Sequence, residues 1–388
     1  MQIAFYAPLK PPGDASTGHQ DTARFLMDAL ARVGHAVELV SGFRSHDAQG
    51  DPDRQLAKRD EGTALARLLA SQWRSGTRAP RPDLWFTHHV YYKAPDWPGP
   101  LVSAELGVPY VIAEASHAPK RAGGRWALGH EAAADAIRHA DLVLCRTRYD
   151  AVLVEPLVFD RNRVLRLPPF LDPAPFRRAA GMREAYREAI AATFHLDAGV
   201  PWIMAASTMQ AGDKVASYRV LAAALASVLD LPWHLIVAGD GPARSEVETA
   251  VNAALPGRAT FLGKLVLAEL APVYGASDLY VWPAINQTYG RAMYEAQAAG
   301  VAIVSCAPRA VPDSVAQGST GVRVPPGDTE ALAQAVRALL LDPARRLALG
   351  RAAMAFIDAE RSVDAAAIRL NRALAQISGA STASRLST

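Results

Sequence analysis

Short apolar runs alternate with longer amphipathic stretches along the whole chain. In the first half the apolar runs are Ile3–Ala7, Ala36–Val40, Leu84–Thr87, Tyr110–Ala113, Leu142–Leu144 and Val164–Leu167. In the second half they are Trp202–Ala206, His234–Ala238, Thr260–Leu262, Leu279–Trp282, Ala302–Ser305 and Val322–Val324. Between them, helical patterning covers Thr22–Val33, Ala216–Leu229, Thr329–Leu341 and Pro343–Ile357. This alternation predicts an α/β protein, with parallel sheets covered by helices. Two series in succession predict two doubly wound, Rossmann-like domains.

The length agrees, because single cores rarely grow beyond roughly 250–300 residues and the chain has 388. The join is expected near Pro168–Pro175, where four prolines in eight residues oppose regular structure. Arg177–Ala192 then reads as a charged helix. The expected domains are 1–175 and 176–378, with the last helix free to pack back on the first, and 379–388 as a frayed tail. Open α/β sheets bind ligands beyond the carboxyl ends of their strands. Two such sheets facing one another would put an active site in the cleft between them.

Composition excludes more than it identifies. Half the residues are hydrophobic and a fifth are charged, ordinary for a soluble globular protein. The net charge is +3, with 23 Lys and Arg against 20 Asp and Glu in residues 1–178 and 18 against 18 beyond. That is not the dense basic stripe of a nucleic-acid binder. Cys145 and Cys306 each sit in an apolar run, which suits buried free thiols better than a disulfide or a metal site. The start reads as a strand and not a signal peptide. No apolar run approaches the about 18 residues of a membrane span. A soluble, cytoplasmic protein is expected.

The chemistry concentrates in Gln287–Gly300, a loop that becomes helical near Gly290 and ends on a capping glycine. A glycine at a helix N-terminus leaves N–H groups free for an anion. Glu295 lies about one and a half turns inside, where an unpaired carboxylate is costly. Ribose hydroxyls would supply the donors it needs; the alternative is a solvent-facing side chain.

The stretch resembles the Glu-x7-Glu signature of glycosyltransferase family 4, with Gln287 and Glu295 at the two acidic positions. Further blocks match in the family's order. Val237–Pro242 resembles its G-D-G-P turn, and Thr260–Lys264 with Leu270–Asp278 resembles F-L-G…L…Y…A-D. Pro325–Asp328 through Asp342-Pro343 resembles P-P-G-D…L-L-x-D-P. The resemblance implies a GT-B fold, two Rossmann-like domains facing across a cleft. It also implies retaining transfer from a nucleotide-diphosphate sugar, with no metal and no further cofactor.

By the same resemblance Glu295 would bind the donor ribose, and Gln287, Thr288, Tyr289, Gly290 and Arg291 would face the donor sugar. Lys214 would contact the diphosphate as a compact cation. Gly263, Lys264 and Leu265 would border the base, and Gly18 would approach the donor from the first domain. His117 matches the family's active-site histidine, so His117, Lys214 and Gln287 are the catalytic candidates. Two positions depart from the pattern: Met209 stands where the family has a donor-binding arginine, and Gln287 replaces a carboxylate. His88 and His89, which follow another strand, also point towards the expected cleft.

Other patterns carry less. Asp51-Pro52-Asp53 spells a metal-binding D-x-D but lies in a polar stretch, which suits a solvated turn. Asn286-Gln287-Thr288 is a sequon in a ligand loop. Arg54–Arg81 suits a packed helix with snorkelling arginines, though it also allows a weak peripheral membrane contact. The expected partners are a nucleotide-sugar donor and a carbohydrate or lipid-linked acceptor, with no nucleic acid. Two other functions fit the fold. One is a nucleotide-sugar epimerase, for which Glu114 is the available carboxylate outside the donor motif. The other is a catalytically weak nucleotide-sugar-binding paralogue.

Overall fold

The apolar runs become strands of two six-stranded sheets, and every pairing within them is parallel. Strands apolar on both faces suit sheets that helices cover on both sides. The computed structural model describes residues 1–13, 21–286, 290–306 and 314–385, with side chains described to residue 377. It divides into two compact units, Met1–Pro169 with Val363–Thr388, and Phe170–Ser362.

The first unit runs β1 (Gln2–Tyr6), α1 (Thr22–Arg32), β2 (Ala36–Leu39), α2 (Pro52–Ser75), β3 (Leu84–His88), α3 (Gly99–Leu106), β4 (Tyr110–Ala113), α4 (Ala127–His139), β5 (Leu142–Cys145), α5 (Arg148–Val154) and β6 (Val164–Arg166). Its sheet order is β2-β1-β3-β4-β5-β6, so the direction of winding reverses between β1 and β3. The second unit runs α6 (Ala174–Gly181), α7 (Arg183–Phe194), β7 (Trp202–Ala206), α8 (Asp213–Ala226), β8 (His234–Ala238), α9 (Arg244–Ala254), β9 (Ala259–Gly263), α10 (Leu267–Ala276), β10 (Leu279–Trp282), α11 (Arg291–Ala298), β11 (Ala302–Cys306), β12 (Gly321–Val324), α12 (Thr329–Leu341) and α13 (Pro343–Phe356). Its order, β12-β11-β10-β7-β8-β9, is that of a dinucleotide-binding sheet, with its switch point between β7 and β10. The final helix, α14 (Val363–Arg385), belongs to the first unit, and its backbone continues through most of the expected tail.

Local physics accounts for several differences from the sequence reading. The proline-rich stretch does not stay irregular to its end: α6 starts at Ala174 with Pro175 in its first turn, where a missing N–H costs nothing. The single charged helix expected over 177–192 is two helices meeting at Met182. Arg183 and Arg187 of α7 both pair with Asp278, at 2.7 and 2.9 Å, and Asp278 also accepts the Trp202 N–H at 2.8 Å. The D-x-D is a helix start, with Asp51 accepting the Arg54 N–H at 2.9 Å and Pro52 in the first turn. On α2, Leu69 and Trp73 are buried while Leu68 is exposed, as a packed helix requires. Both cysteines are free and buried. Among the described residues no helix is long and apolar enough to cross a membrane.

Candidate functional site

In the second unit the switch point is framed by the loops after β7 and β10. The first loop is held almost entirely by backbone. Ser207 N–H donates to Ala238 O at 3.1 Å, Met209 N–H to Asp240 O at 2.9 Å, and Ala243 N–H to Met209 O at 2.9 Å. The G-D-G-P turn makes this possible. A Cβ on Gly239 would lie 1.9 Å from Ser207 O, and one on Gly241 2.3 Å from Met209 O. Gly239 also has φ +146° and donates to Gly263 O at 2.8 Å. Gly263, expected to border a base, therefore also supports this turn from the end of β9. Lys264 is exposed beside it, and Leu265 packs against the core.

That scaffold delivers Lys214 on the first turn of α8. Its Nζ lies 5.7 Å from the centroid of the Trp282 ring, and Trp282 is edge-packed by Tyr218 at 4.9 Å. Burial lowers the lysine's pKa, with Asp213 opposing. Among the described residues no carboxylate lies within ion-pair distance of Nζ. Asp213 instead accepts from Asn286 Nδ2 at 3.1 Å, and Ser217 Oγ accepts the Ile285 N–H at 3.1 Å. These two bonds tie the loop after β10 to α8.

Gly290 caps α11 with no side-chain hydrogen bond. Glu295 is 2% exposed, which excludes a solvent-facing side chain. The donors it needs come from the protein, at least in part: Tyr274 Oη donates at 3.2 Å and Arg291 Nε at 3.1 Å. Met209 departs from its expected place on the donor, because its side chain is fully buried in the core. An unbranched thioether fills such a gap where a guanidinium would need partners. Gln287, Thr288, Tyr289 and Gly18 lie outside the described residues.

In the first unit a cluster assembles at the carboxyl ends of β3, β4 and β5. Glu114 Oε2 lies 3.3 Å from His88 Nε2, 3.5 Å from His89 Nδ1 and 3.0 Å from Arg146 Nη1. His89 and Glu114 both hold positive φ, 68° and 63°, which side chains other than glycine rarely adopt. Burial pushes the Glu114 carboxyl up, but Arg146 and then His88 outweigh it and hold it well below the usual range. Burial also lowers His88, against the pull of Glu114. Two histidines and a carboxylate so close could ligate a metal, a grouping the sequence reading did not assemble. Arg146 already shares the carboxylate oxygen they would use. His117 stands apart, its ring tilted at 42° against that of His130 with centroids 4.8 Å apart, and His130 is buried with neither nitrogen hydrogen-bonded. Burial first, then His130, lowers the His117 pKa.

The Glu114 arrangement predicts a pH effect. Because the folded pKa is depressed, its stabilisation is present above the ordinary value of 4.5 and is lost as pH falls from there through the folded value. Glu114→Gln should cost about 3 kcal/mol at pH 7, because it breaks the largely buried ion pair with Arg146. It should also flatten the loss of stability below pH 4.5. Urea denaturation at pH 7 and pH 4 measures both, and an acid slope equal to wild type would reject the assignment.

Comparison with known proteins agrees with this geometry. A family model described as "Glycosyl transferases group 1" matches residues 201–342, which hold the switch-point loops and α11. The chain is 28% identical over 382 residues to the D-inositol 3-phosphate glycosyltransferase of Rhodococcus opacus, covering 88% of this chain and 82% of that protein. Its fold is similar to the UDP-forming α,α-trehalose-phosphate synthase of Burkholderia vietnamiensis, with TM-score 0.71 and 14% identity over 98% of this chain and 99% of that one. It is also similar to an Anabaena protein solved with UDP and glucose, with TM-score 0.65 and 15% identity over 97% and 99%. The two Rossmann-like units are those of the GT-B fold.

Proposed function

We propose that this chain, whose second unit matches the family model of the group 1 glycosyl transferases, moves a sugar from a nucleotide-diphosphate sugar to a carbohydrate or lipid-linked acceptor. The observation that carries this reading is Lys214. It is a half-buried cation with no carboxylate partner among the described residues, standing at a Rossmann switch point. The segment leading to the open N-terminus of α11 is fastened next to it through Asp213 and Asn286. A cation and the positive end of a helix dipole together would neutralise the charge that grows on a departing diphosphate.

In the proposed reaction the bond from the sugar's anomeric carbon to the diphosphate oxygen breaks with its electron pair on the diphosphate. The acceptor hydroxyl oxygen forms the new bond on the same face, and its proton passes to the leaving phosphate. Configuration is retained. Positive charge comes from Lys214 and α11, so the scheme requires no metal and no further cofactor. Glu295, oriented by Tyr274 and Arg291, would accept from the ribose hydroxyls. Gly263–Leu265 would border the base, Gln287–Arg291 the donor sugar, and His117 the transferred sugar. A cytoplasmic location goes with this reading, with a weak peripheral membrane contact only if the acceptor is lipid-linked. The epimerase reading needs a carboxylate free to exchange protons, and Glu114 is held ionised beside Arg146.

The test is incubation with uridine, guanosine and adenosine diphosphate sugars and an acceptor panel that includes D-inositol 3-phosphate. We expect release of nucleoside diphosphate, a product keeping the donor's anomeric configuration by NMR, and no loss of rate in EDTA. An altered nucleotide-sugar without release would replace transfer by isomerisation. No release from any donor would sink the proposal.

A further inference from the structure

The first unit carries a second feature on the loops after β3 and β4. His89, Tyr91, Tyr92 and Trp126 form a continuous run of edge-packed rings, with successive centroids 5.2, 5.4 and 5.6 Å apart. It begins at the histidine beside Glu114 and ends among cations. Lys93 Nζ lies 5.9 Å from the Tyr92 centroid and 4.8 Å from that of Trp126. The Arg121 guanidinium lies 5.4 and 5.2 Å from the same two rings, and that of Arg125 lies 5.7 Å from Trp126.

Three cations therefore gather on two rings, where their mutual repulsion is only partly screened. Among the described residues none of the three has a carboxylate within ion-pair distance. Lys93 and Arg125 reach only the Ala48 and Gln49 carbonyls, at 3.4 and 3.3 Å, and the buried Nε of Arg121 has no hydrogen-bond partner. The adjacent acid, Asp47, is engaged by Arg54 at 3.5 Å and by the N–H groups of Gln49 and Asp51. The local field is positive enough to act on His46, which is lowered by burial first and then by Arg44 and Lys93.

We propose that Lys93, Arg121 and Arg125 form an anion subsite, and that the acceptor of this enzyme carries a phosphate group there, with its sugar ring lying along the aromatic run towards His89. The ring faces hold the guanidinium and ammonium groups in place, so they are already ordered when the anion arrives. This inference rests on the transferase reading for the word acceptor, but the subsite itself is read without turnover. The phosphate can belong to a soluble sugar phosphate or to a lipid headgroup.

The full chain carrying Lys214→Ala, which removes the donor-side cation, is titrated with inorganic phosphate, glucose 6-phosphate and glucose while Trp fluorescence is followed. Glucose 6-phosphate should bind and glucose should not. Adding Lys93→Gln and Arg121→Gln together should weaken phosphate binding at least about tenfold, the loss expected for one or two charge-assisted contacts. Arg121→Lys, which keeps the charge and the fold, should lose less. Phosphate binding unchanged in the double variant, or glucose 6-phosphate binding no better than glucose, overturns the proposal. Sedimentation with phosphatidylglycerol vesicles, set against phosphatidylcholine vesicles, identifies the source. Binding that the double variant loses assigns the phosphate to a lipid headgroup, and its absence alongside glucose 6-phosphate binding assigns it to a soluble acceptor. The transferase reading is judged separately, on nucleoside diphosphate release by the wild-type chain.

Discussion

Lys214→Ala should lower the rate of sugar transfer by about 100- to 1000-fold, the loss typical when one preorganised stabiliser of a developing oxyanion is removed. Several observations make the effect large. The ammonium is half-buried, lies over Trp282 and has no carboxylate partner among the described residues, so an incoming diphosphate would meet it largely unscreened. Alanine should not destabilise the fold. The lysine's pKa is lowered mainly by burial, which means that folding works against its charge, and alanine relieves that cost. Loss of activity with an unchanged melting temperature is therefore the expected signature. Lys214→Arg should recover only part of the rate, because a planar fork does not replace a compact point charge. Transfer by Lys214→Ala at the wild-type rate would remove the lysine from the mechanism.

The sequence made the strands legible because most are short and apolar on both faces, a pattern that little else in a soluble chain imitates. It made the donor-side blocks legible because glycines and prolines mark loops whose backbone must pass close to another segment. Side-chain partnerships between separate elements were not legible. Glu295 reads as a carboxylate in need of donors, yet Tyr274, which supplies one, belongs to a different helix. Met209 reads as a site residue by its position in the loop; its burial depends on core packing that no local pattern encodes. The Glu114 cluster had a signal that went unused. His88, Glu114 and Arg146 each end or directly follow one of three adjacent strands, so parallel pairing alone brings them to one edge. Reading strand ends together, rather than one at a time, would have found them.

Gly239→Ala should be the most damaging single-methyl substitution at the candidate donor site. A Cβ there would lie 1.9 Å from Ser207 O, and the neighbour is backbone, which cannot rotate away as a flexible side chain could. The residue also holds φ +146°, which L-residues rarely adopt, so the substitution strains the turn even before the collision. Relief would require the loop after β7 to move. That would break the bonds from Ser207 to Ala238 and from Met209 to Asp240, which lead the chain into Lys214. The combined strain and displacement should cost about 4 kcal/mol of stability in the second unit. Nucleotide-sugar affinity should fall with it, because a shift of about 1 Å in a positioning loop can cost a hundredfold. Gly212, by contrast, has open space around its Cβ direction, so Gly212→Ala meets only the strain of its own φ of +82°. Denaturant unfolding of the two variants, with titration of the nucleotide diphosphate, separates these terms. If Gly239→Ala unfolds no earlier than Gly212→Ala, the backbone of the G-D-G-P turn is not what holds the lysine loop.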